Sequence, residues 1–142
     1  MKIRYVLGFA FNHGRTHVLL QKKKSKYSIF ENYNGIGGKI ENRETVLEAM
    51  TREFFLATKI KTDPSGWNKI CVIYGEDWMC HVFSNYIQHK DSLYNLCGKD
   101  DNGLILPTVE NVNSLDLEHS VAWLIPMCLD DNIVYGATKV RQ

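Results

Sequence analysis

A glycine pair followed at fixed distances by charged side chains is the feature of this chain that could do chemistry. Gly37 and Gly38 end a short apolar run, and Glu44, Arg52 and Glu53 follow on a segment with helical spacing. Glycines let backbone amides approach a phosphate closely, and carboxylates are ligands that hard divalent cations prefer. The pattern indicates a phosphate site. The alternative is a tight turn before an ordinary amphipathic helix with solvated acids.

The residues ahead of the glycine pair predict a β-hairpin. Residues 6 to 11 form a continuous apolar run, which is typical of a strand buried on both faces. Residues 12 to 15 have the composition of a turn, so residues 17 to 21 should form the returning strand. The polar segment from residue 22 to residue 34 should be a loop.

Residues 45 to 60 predict the helix that carries the acids. Apolar side chains recur there at intervals of three and four, at Leu47, Met50, Phe54 and Ala57. On such a helix Glu53 shares its face with Leu56 and Ala57, neither of which can bind a metal ion. At about 100° per residue, Glu48 points about 140° away from Glu53 and Glu44 about 180° away. Neither acid can therefore replace a ligand beside Glu53.

The second half of the chain predicts further strands and one more helix. Residues 69 to 74 and 78 to 88 read as two strands joined by a turn. Residues 91 to 117 are polar and rich in turn residues, and a connection of that length is more often functional or mobile than incidental. Residues 121 to 127 should form a last strand, and residues 132 to 140 a C-terminal helix. A mixed sheet with a helix on each face is an α/β (α+β) arrangement.

Length and composition fit one globular domain over residues 1 to 142. The net charge of +1 gives no indication of a long nucleic acid or of a membrane surface as a partner. The N-terminus lacks the features of a signal peptide, and the four cysteines include no Cys-x-x-Cys pair. We therefore expect reduced thiols and a cytoplasmic protein, although two disulfides are an alternative.

The spacing of the glycine and the charged residues resembles the Nudix box, the signature of enzymes that cut nucleoside diphosphates linked to another group. The family pattern is Gly, five residues, Glu, seven residues, then Arg-Glu-apolar-x-Glu-Glu-x-Gly-apolar. The matching positions are Gly38, Glu44, Arg52, Glu53, Phe54 and Ile60. The departures are Leu56 and Ala57 in place of the two following glutamates, and Lys59 in place of the last glycine.

The resemblance implies the αβα sandwich of the Nudix fold and a catalytic group of Glu53, Arg52 and Glu44. In the family the helix glutamates hold divalent cations, Mg²⁺ or Mn²⁺, against the substrate phosphates. Glu44 then has a structural role as the partner of Arg52. Related enzymes carry a further metal-binding glutamate near the last strand, which makes Glu118 the second candidate metal ligand beside Glu53.

The run from Asn34 to Ile40 resembles the enzymes that hydrolyse oxidised purine nucleoside triphosphates. The resemblance assigns substrate contacts to a base reader, a glycine pair, two lysines and an aspartate: Asn34, Gly37, Gly38, Lys23, Lys39 and Asp131. Each has an ordinary alternative. Asn34 and Gly35 are also a turn dipeptide, the lysines are also a solvated surface, and Asp131 also fits the cap of a helix.

Three functions fit these observations. We favour a protein that recognises a nucleoside di- or triphosphate, or a ligand linked to a nucleoside diphosphate, with hydrolysis impaired at Leu56 and Ala57. The second is an active pyrophosphohydrolase with a rebuilt metal site. The third is a partner-docking domain, against which the retention of Arg52 and Glu53 argues. A homo-oligomer through the long polar loop is compatible with each.

Overall fold

The computed structural model describes residues 2–23, 32–88, 93–99, 101–133 and 135–140. Its strands are β1 (Ile3–Asn12), β2 (Val18–Lys23), β3 (Asn32–Asn34), β4 (Ile36–Lys39), β5 (Asn68–Tyr74), β6 (Trp78–Ile87), β7 (Leu104–Ile105) and β8 (Gly136–Lys139). Its α-helices are α1 (Val46–Thr58) and α2 (Val121–Leu129), and single 3-10 turns lie at Pro64–Gly66, Tyr94–Leu96 and Val112–Ser114. No helix in these ranges is long and apolar enough to cross a membrane.

The strands form one mixed sheet in the order β3-β2-β1-β6-β5-β8, with β4 also paired to β1 and β7 to β2. The central strand β1 runs parallel to β6 and antiparallel to both β2 and β4. Helix α1 packs against one face of this sheet and α2 against the other. The predicted αβα arrangement around a mixed sheet is therefore confirmed.

Strand β1 supplies both halves of the core, as its continuous apolar run predicted. Val6 and Ala10 belong to the core cluster on the α1 side, together with Met50 and Phe54 of α1. The alternate residues of β1, represented by Phe9, belong to the cluster on the α2 side. Successive side chains of a strand point to opposite faces of the sheet, so a strand can be apolar throughout only when both faces are covered.

The N-terminal hairpin and the helix are where the sequence predicts them, and the loop is shorter. Helix α1 begins after Thr45, whose side chain accepts a hydrogen bond from the amide of Glu48, and it ends at Lys59 in a left-handed conformation. The prediction that residues 22 to 34 form a loop is wrong at both ends. Residues 22 and 23 extend β2, and β3 pairs with them at the sheet edge, where polar side chains can remain half exposed. The rest of that segment lies outside the described residues.

The two predictions for the C-terminal region are wrong. Residues 121 to 127 belong to helix α2 and are not a strand, because the buried residues recur with helical spacing, at Val121, Leu124, Ile125 and Cys128. Residues 132 to 140 contain strand β8 and not a helix. This segment pairs in parallel with β5, from Cys71 opposite Gly136 to Tyr74 opposite Lys139, so tertiary pairing decides its conformation.

The middle of the chain agrees with the prediction. The strands expected over residues 69 to 74 and 78 to 88 are β5 and β6, which pair antiparallel with one irregularity between Lys69 and Cys71. The polar region after β6 consists, where described, of short turns and of β7, which pairs with β2. This region therefore covers the β2 side of the sheet.

Gly37 is required by the close approach of β4 to β1. A Cβ atom at this position would overlap the carbonyl oxygen of Val6 in the neighbouring strand. The obstacle is backbone within a central sheet and cannot move aside as a flexible side chain would. At Gly14, in the β1–β2 turn, the nearest atom to an added Cβ is 3.8 Å away.

We expect Gly37→Ala to lower the free energy of unfolding by about 2–3 kcal/mol, because overpacking must displace the strand pair. Gly14→Ala is the matched control and should change stability by less than about 0.5 kcal/mol. Urea unfolding of the three proteins, followed by circular dichroism, measures both effects. Equal stability of Gly37→Ala and the natural protein would contradict the close strand contact.

His81 is a half-buried residue on the α1 side of the sheet. It lies beside Val6 in β1 and two residues before Phe83 on β6, and both neighbours belong to the α1-side core. Its Nε2 atom is buried and has no hydrogen-bond partner within the described residues. Burial lowers the pKa of His81, and the positive charges of Arg4 and Lys69 lower it further.

The lowered pKa of His81 predicts a loss of stability in mild acid. The unfolded chain binds a proton at this residue near its ordinary pKa of about 6.5, whereas the folded chain binds it only at lower pH. Below about pH 6.5 the free energy of unfolding should therefore fall, until the pKa of the folded state is passed. Urea unfolding at pH 7.5 and pH 5.5 should show a smaller loss in His81→Leu, because the other histidines are common to both proteins. An equal loss would exclude a contribution from His81.

Candidate functional site

Arg52 joins the glycine hairpin to helix α1. Its Nε and Nη2 atoms donate to the two carboxylate oxygens of Glu44 at 2.6 and 3.0 Å. Nη2 also donates to the backbone carbonyl of Lys39 at 3.0 Å, and Nη1 donates to Glu53 at 2.7 Å. The hydrogen bond from Arg52 lowers the pKa of Glu44. The pairing of Glu44 with Arg52 that the family resemblance implies is therefore present as a two-point contact.

Glu53 lies directly against the second glycine of the hairpin. A Cβ atom at Gly38 would be 2.5 Å from the Glu53 carboxyl group, so a larger residue here would displace that carboxyl group, whereas at Gly37 the obstacle is backbone. One carboxylate oxygen of Glu53 accepts the hydrogen bond from Arg52, and the side chain is 21% exposed. The acid is thus oriented by the hydrogen bond from Arg52.

The residues around Glu53 do not form a site that fits Mg²⁺ or Mn²⁺ by itself. Leu56 follows one turn later and is 56% exposed, so an apolar side chain occupies the surface where the family has a carboxylate. Ala57 adds no oxygen. Within the described residues, no three His, Cys, Asp or Glu side chains come together as a metal-binding group. The oxygen ligands available near Glu53 therefore differ from the family pattern in the structure as well as in the sequence.

A cavity of about 320 Å³ lies on the α2 side of the sheet, beside the glycine hairpin. We refer to it as the nucleotide-sized cavity, because its volume is at the lower end of the range for small-molecule sites. Apolar and aromatic residues form much of its wall, among them Tyr5, Leu7, Ile73 and Trp78. The polar side chains at its rim are Asn34, Glu118, His119 and Ser120, and the backbone of Gly37 and Gly38 closes one side.

Backbone hydrogen bonds bring Asn34 and Glu118 to the same cavity from distant parts of the chain. The amide of Glu118 donates to the carbonyl of Tyr33, and the amide of Tyr33 donates to the carbonyl of Asp116, both at 2.8 Å. One oxygen of Glu118 accepts hydrogen bonds from the amide and the hydroxyl of Ser120, at 3.2 and 2.9 Å. The side-chain oxygen of Asn34 accepts from the amide of Gly35 at 2.7 Å. Each side chain is thus held in place by a local bond and retains further hydrogen-bonding capacity.

The remaining candidate residues are distributed differently. Lys39 is exposed at the end of β4, where it pairs with Tyr5 of β1 and so faces the same side of the sheet as that residue of the cavity wall. Lys23 ends β2, and its side chain lies outside the described part of the structure. Asp131 is 80% exposed, pairs with Arg15 at 3.2 Å and lines a separate cleft of about 200 Å³. The structure does not bring Asp131 together with Asn34.

Sequence reasoning did not anticipate the walls of the cavity. Trp78 and His119 line it, yet neither lies in a recognisable motif. His119 could have been found by its position next to Glu118. Trp78 begins a strand whose neighbours in the sheet are not evident from the sequence, so no local pattern indicated its place.

Three solved structures illustrate what the chain is similar to. A MutT protein from Bacillus halodurans superposes with a TM-score of 0.73 at 19% identity, over 96% of this chain and 89% of that one. Shewanella oneidensis NrtR in complex with a 27mer DNA gives 0.71 at 13% identity, over 87% and 59%. The C-terminal domain of mouse MUTYH in complex with human PCNA gives 0.68 at 10% identity, over 89% and 87%.

At the level of sequence, neither the protein-family models nor the curated proteins include a match to the chain. The structural likeness extends over nearly the whole chain, whereas the sequence identity is low. Such a likeness establishes the fold and leaves the activity open. The chain therefore has the α+β fold of the MutT and Nudix proteins, with a mixed sheet between two helices.

Proposed function

We propose that this chain binds a nucleoside di- or triphosphate, or a ligand linked to a nucleoside diphosphate, and hydrolyses it slowly or not at all. The observation that carries the proposal is the combination of a formed cavity and an incomplete acid cluster. Asn34 and Glu118 meet at the nucleotide-sized cavity, whereas Glu53 has Leu56 and Ala57 as its neighbours on the helix. Recognition thus depends on Asn34 and Glu118, which lie together at the cavity. Cleavage depends on the acid cluster around Glu53, which is incomplete.

The cavity suits a nucleobase. Tyr5 and Trp78 provide aromatic surface against which a planar ring can pack, and Leu7 contributes to an apolar floor. A carboxylate accepts hydrogen bonds, and an asparagine amide both donates and accepts them. Glu118 and Asn34 can therefore pair with a base edge that carries an amino group beside an acceptor.

The phosphates would run from this cavity along the glycine hairpin. Gly37 and Gly38 line the cavity with backbone only, which permits close approach of phosphate oxygens. Lys39 and Lys23 remain the proposed cationic contacts, since lysine serves phosphate as a mobile point charge. Asp131 is not part of this proposal, because it lies with Arg15 at the separate cleft.

Impaired hydrolysis follows from the chemistry of pyrophosphate cleavage. Divalent cations neutralise the phosphates and activate the attacking water, and they need carboxylate oxygens to hold them. Loss of one preorganised group that stabilises the transition state commonly lowers the rate by two to three orders of magnitude. With two such groups replaced by Leu56 and Ala57, slow turnover would depend on a single cation shared by Glu53 and Glu118.

A second candidate function, partner docking, is favoured by an exposed apolar pair on α1. Phe55 is 37% exposed and Leu56 is 56% exposed. Similar folds occur in complexes with macromolecules, since NrtR binds DNA and the MUTYH domain binds PCNA in the structures named above. A docking role is compatible with nucleotide binding, because the exposed pair and the nucleotide-sized cavity are formed by different residues.

Nucleotide binding should stabilise the protein without a metal ion. In buffer with a chelator, we expect at least one ligand among purine triphosphates, oxidised purine triphosphates, ADP-ribose and dinucleotides to raise the melting temperature. A ligand at 100 times its Kd adds about 2.7 kcal/mol, which corresponds to several degrees for a chain of this size. Asn34→Ala and Glu118→Gln should each reduce the shift, whereas Asp131→Asn should retain it. A flat response to every ligand would reject the binding proposal.

Restoring the missing carboxylates should create an efficient hydrolase. We expect Leu56→Glu with Ala57→Glu to raise Mg²⁺-dependent pyrophosphate release at least 100-fold over the natural chain, because each carboxylate restores a cation ligand beside Glu53. Adding Glu53→Gln to the double variant should abolish the gain, as the matched control. The opposite result is efficient turnover by the natural chain that Glu53→Gln removes. That outcome would establish the active hydrolase in place of the impaired one.

A further inference from the structure

A second and larger cavity, of about 530 Å³, lies at the start of β1 and the end of β4. Four basic residues line it, and we call it the basic cavity: Lys2, Arg4, Lys39 and Arg43. Arg4 and Lys39 lie in strands, Lys2 directly precedes β1, and Arg43 lies in the turn that leads to α1. Glu41 is the one acidic residue of its lining.

Most of the basic cavity lies on the α1 face of the sheet, opposite the nucleotide-sized cavity. Lys39 is the exception, because it pairs with Tyr5 and therefore shares the face of the nucleotide-sized cavity. Arg4 is two residues before Val6 on β1 and therefore faces the α1 side, and Met79 lies beside Arg4 on β6. The nucleotide-sized cavity is lined by Tyr5 and Leu7, the alternate residues of the same strand, and also by Val6 between them. The two cavities have no lining residue in common.

Positive charge is concentrated at the basic cavity. It holds four of the 17 Lys and Arg residues of the chain but one of the 16 Asp and Glu residues, so the rest of the chain is net negative although the whole has a charge of +1. Glu41 is drawn towards Arg52, whose Nη1 atom is 3.8 Å from its carboxylate. Within the described residues, Arg4, Lys39 and Arg43 make no ion pair with an acid. The charges of these three residues are therefore available to an external anion, whereas the Lys2 ammonium donates to the carbonyl of Gly75 and lies over the ring of Tyr74.

The lining of the basic cavity determines the class of anion. It includes aliphatic and thioether side chains but no aromatic ring, so it offers no platform on which a nucleobase could stack. Arginine and lysine recognise phosphate oxygens by charge-assisted hydrogen bonds. A volume of about 530 Å³ exceeds the space that one phosphate fills. We propose that the basic cavity binds a linear chain of phosphate groups, independently of the nucleotide-sized cavity on the other face.

The phosphate chain has two conceivable sources, a free polyphosphate and the tail of a nucleotide held in the nucleotide-sized cavity. The free chain is favoured because Arg4 and Met79 face the α1 side of the sheet, whereas Tyr5 and Leu7 of the nucleotide-sized cavity face the α2 side. The proposal goes beyond nucleotide binding and does not depend on it. Lys39 is the one residue that both proposals use, and the test therefore leaves it unchanged.

Calorimetric titration with inorganic tripolyphosphate, without metal or nucleotide, tests the site directly. We expect saturable binding to the natural chain and at least a tenfold loss of affinity in Arg4→Gln with Arg43→Gln. The matched control, Lys61→Gln with Lys99→Gln, removes the same net charge at exposed lysines outside the cavity and should lose less than threefold. Glu41→Gln should tighten binding, because it removes the acid of the lining.

Several results would overturn the site. No binding to the natural chain would do so, and so would equal losses in the cavity variant and its control, which would indicate general charge attraction. Weaker tripolyphosphate binding in Asn34→Ala would show that the phosphates bind in the nucleotide-sized cavity instead. Tighter binding of a single-stranded oligonucleotide with as many phosphates would instead indicate a nucleic acid. Melting curves of the Arg4, Arg43, Glu41, Lys61 and Lys99 variants should match the natural protein, since these side chains are exposed. Failure of this titration leaves the nucleotide-binding proposal intact, because that is tested by Asn34 and Glu118.

Discussion

The arrangement of the glycine hairpin and the charged residues of helix α1 depends on the hydrogen bonds that the Arg52 guanidinium donates. The guanidinium holds both oxygens of Glu44 ahead of α1, the carbonyl of Lys39 at the end of β4, and one oxygen of Glu53 beside it. Such charge-assisted bonds in a fixed fork determine geometry as well as energy. The hairpin therefore keeps its position relative to the helix even though two acids of the family pattern are absent. Retention of Arg52 is explained by structure, and it no longer argues against a partner-docking domain.

The division of the site by the sheet explains how binding and cleavage can be separated. Glu53 and the apolar residues that follow it lie on the α1 side, whereas Glu118 and Asn34 open onto the α2 side. Strand β4 connects the two sides through glycine backbone, with Gly38 touching both the cavity and the Glu53 carboxyl group. Leu56 and Ala57, at the two positions where the family pattern has carboxylates, lie on α1 and form no part of the wall of the nucleotide-sized cavity. A protein of this fold can thus lose hydrolysis and keep recognition.

The sequence predicted the N-terminal half well because its patterns are local. The apolar run of β1, the turn at residues 12 to 15 and the amphipathic spacing of α1 depend on residues close to one another. The predictions for the C-terminal half failed because tertiary contacts determine the secondary structure there. A short apolar run from residue 121 fits strand or helix, and Pro126 within it was a signal against a central strand. Strand β8 forms because β5 offers it an open edge, which its own composition cannot show.

Because the residues after Glu118 form helix α2 and not a strand, the role that Glu118 can have is different. As a residue entering a strand, it was a candidate metal ligand. In the structure it precedes a helix, and Ser120 binds one of its oxygens through both amide and hydroxyl. These hydrogen bonds fix the orientation of the carboxylate and use part of its capacity to accept hydrogen bonds. The remaining capacity is available at the cavity that Asn34 also lines. Such an acceptor beside an amide discriminates between base edges, since an unpaired buried polar group is costly when the wrong edge is present. We therefore infer that Glu118 acts in recognition first, and that any cation it shares with Glu53 is held through the phosphates of a bound ligand.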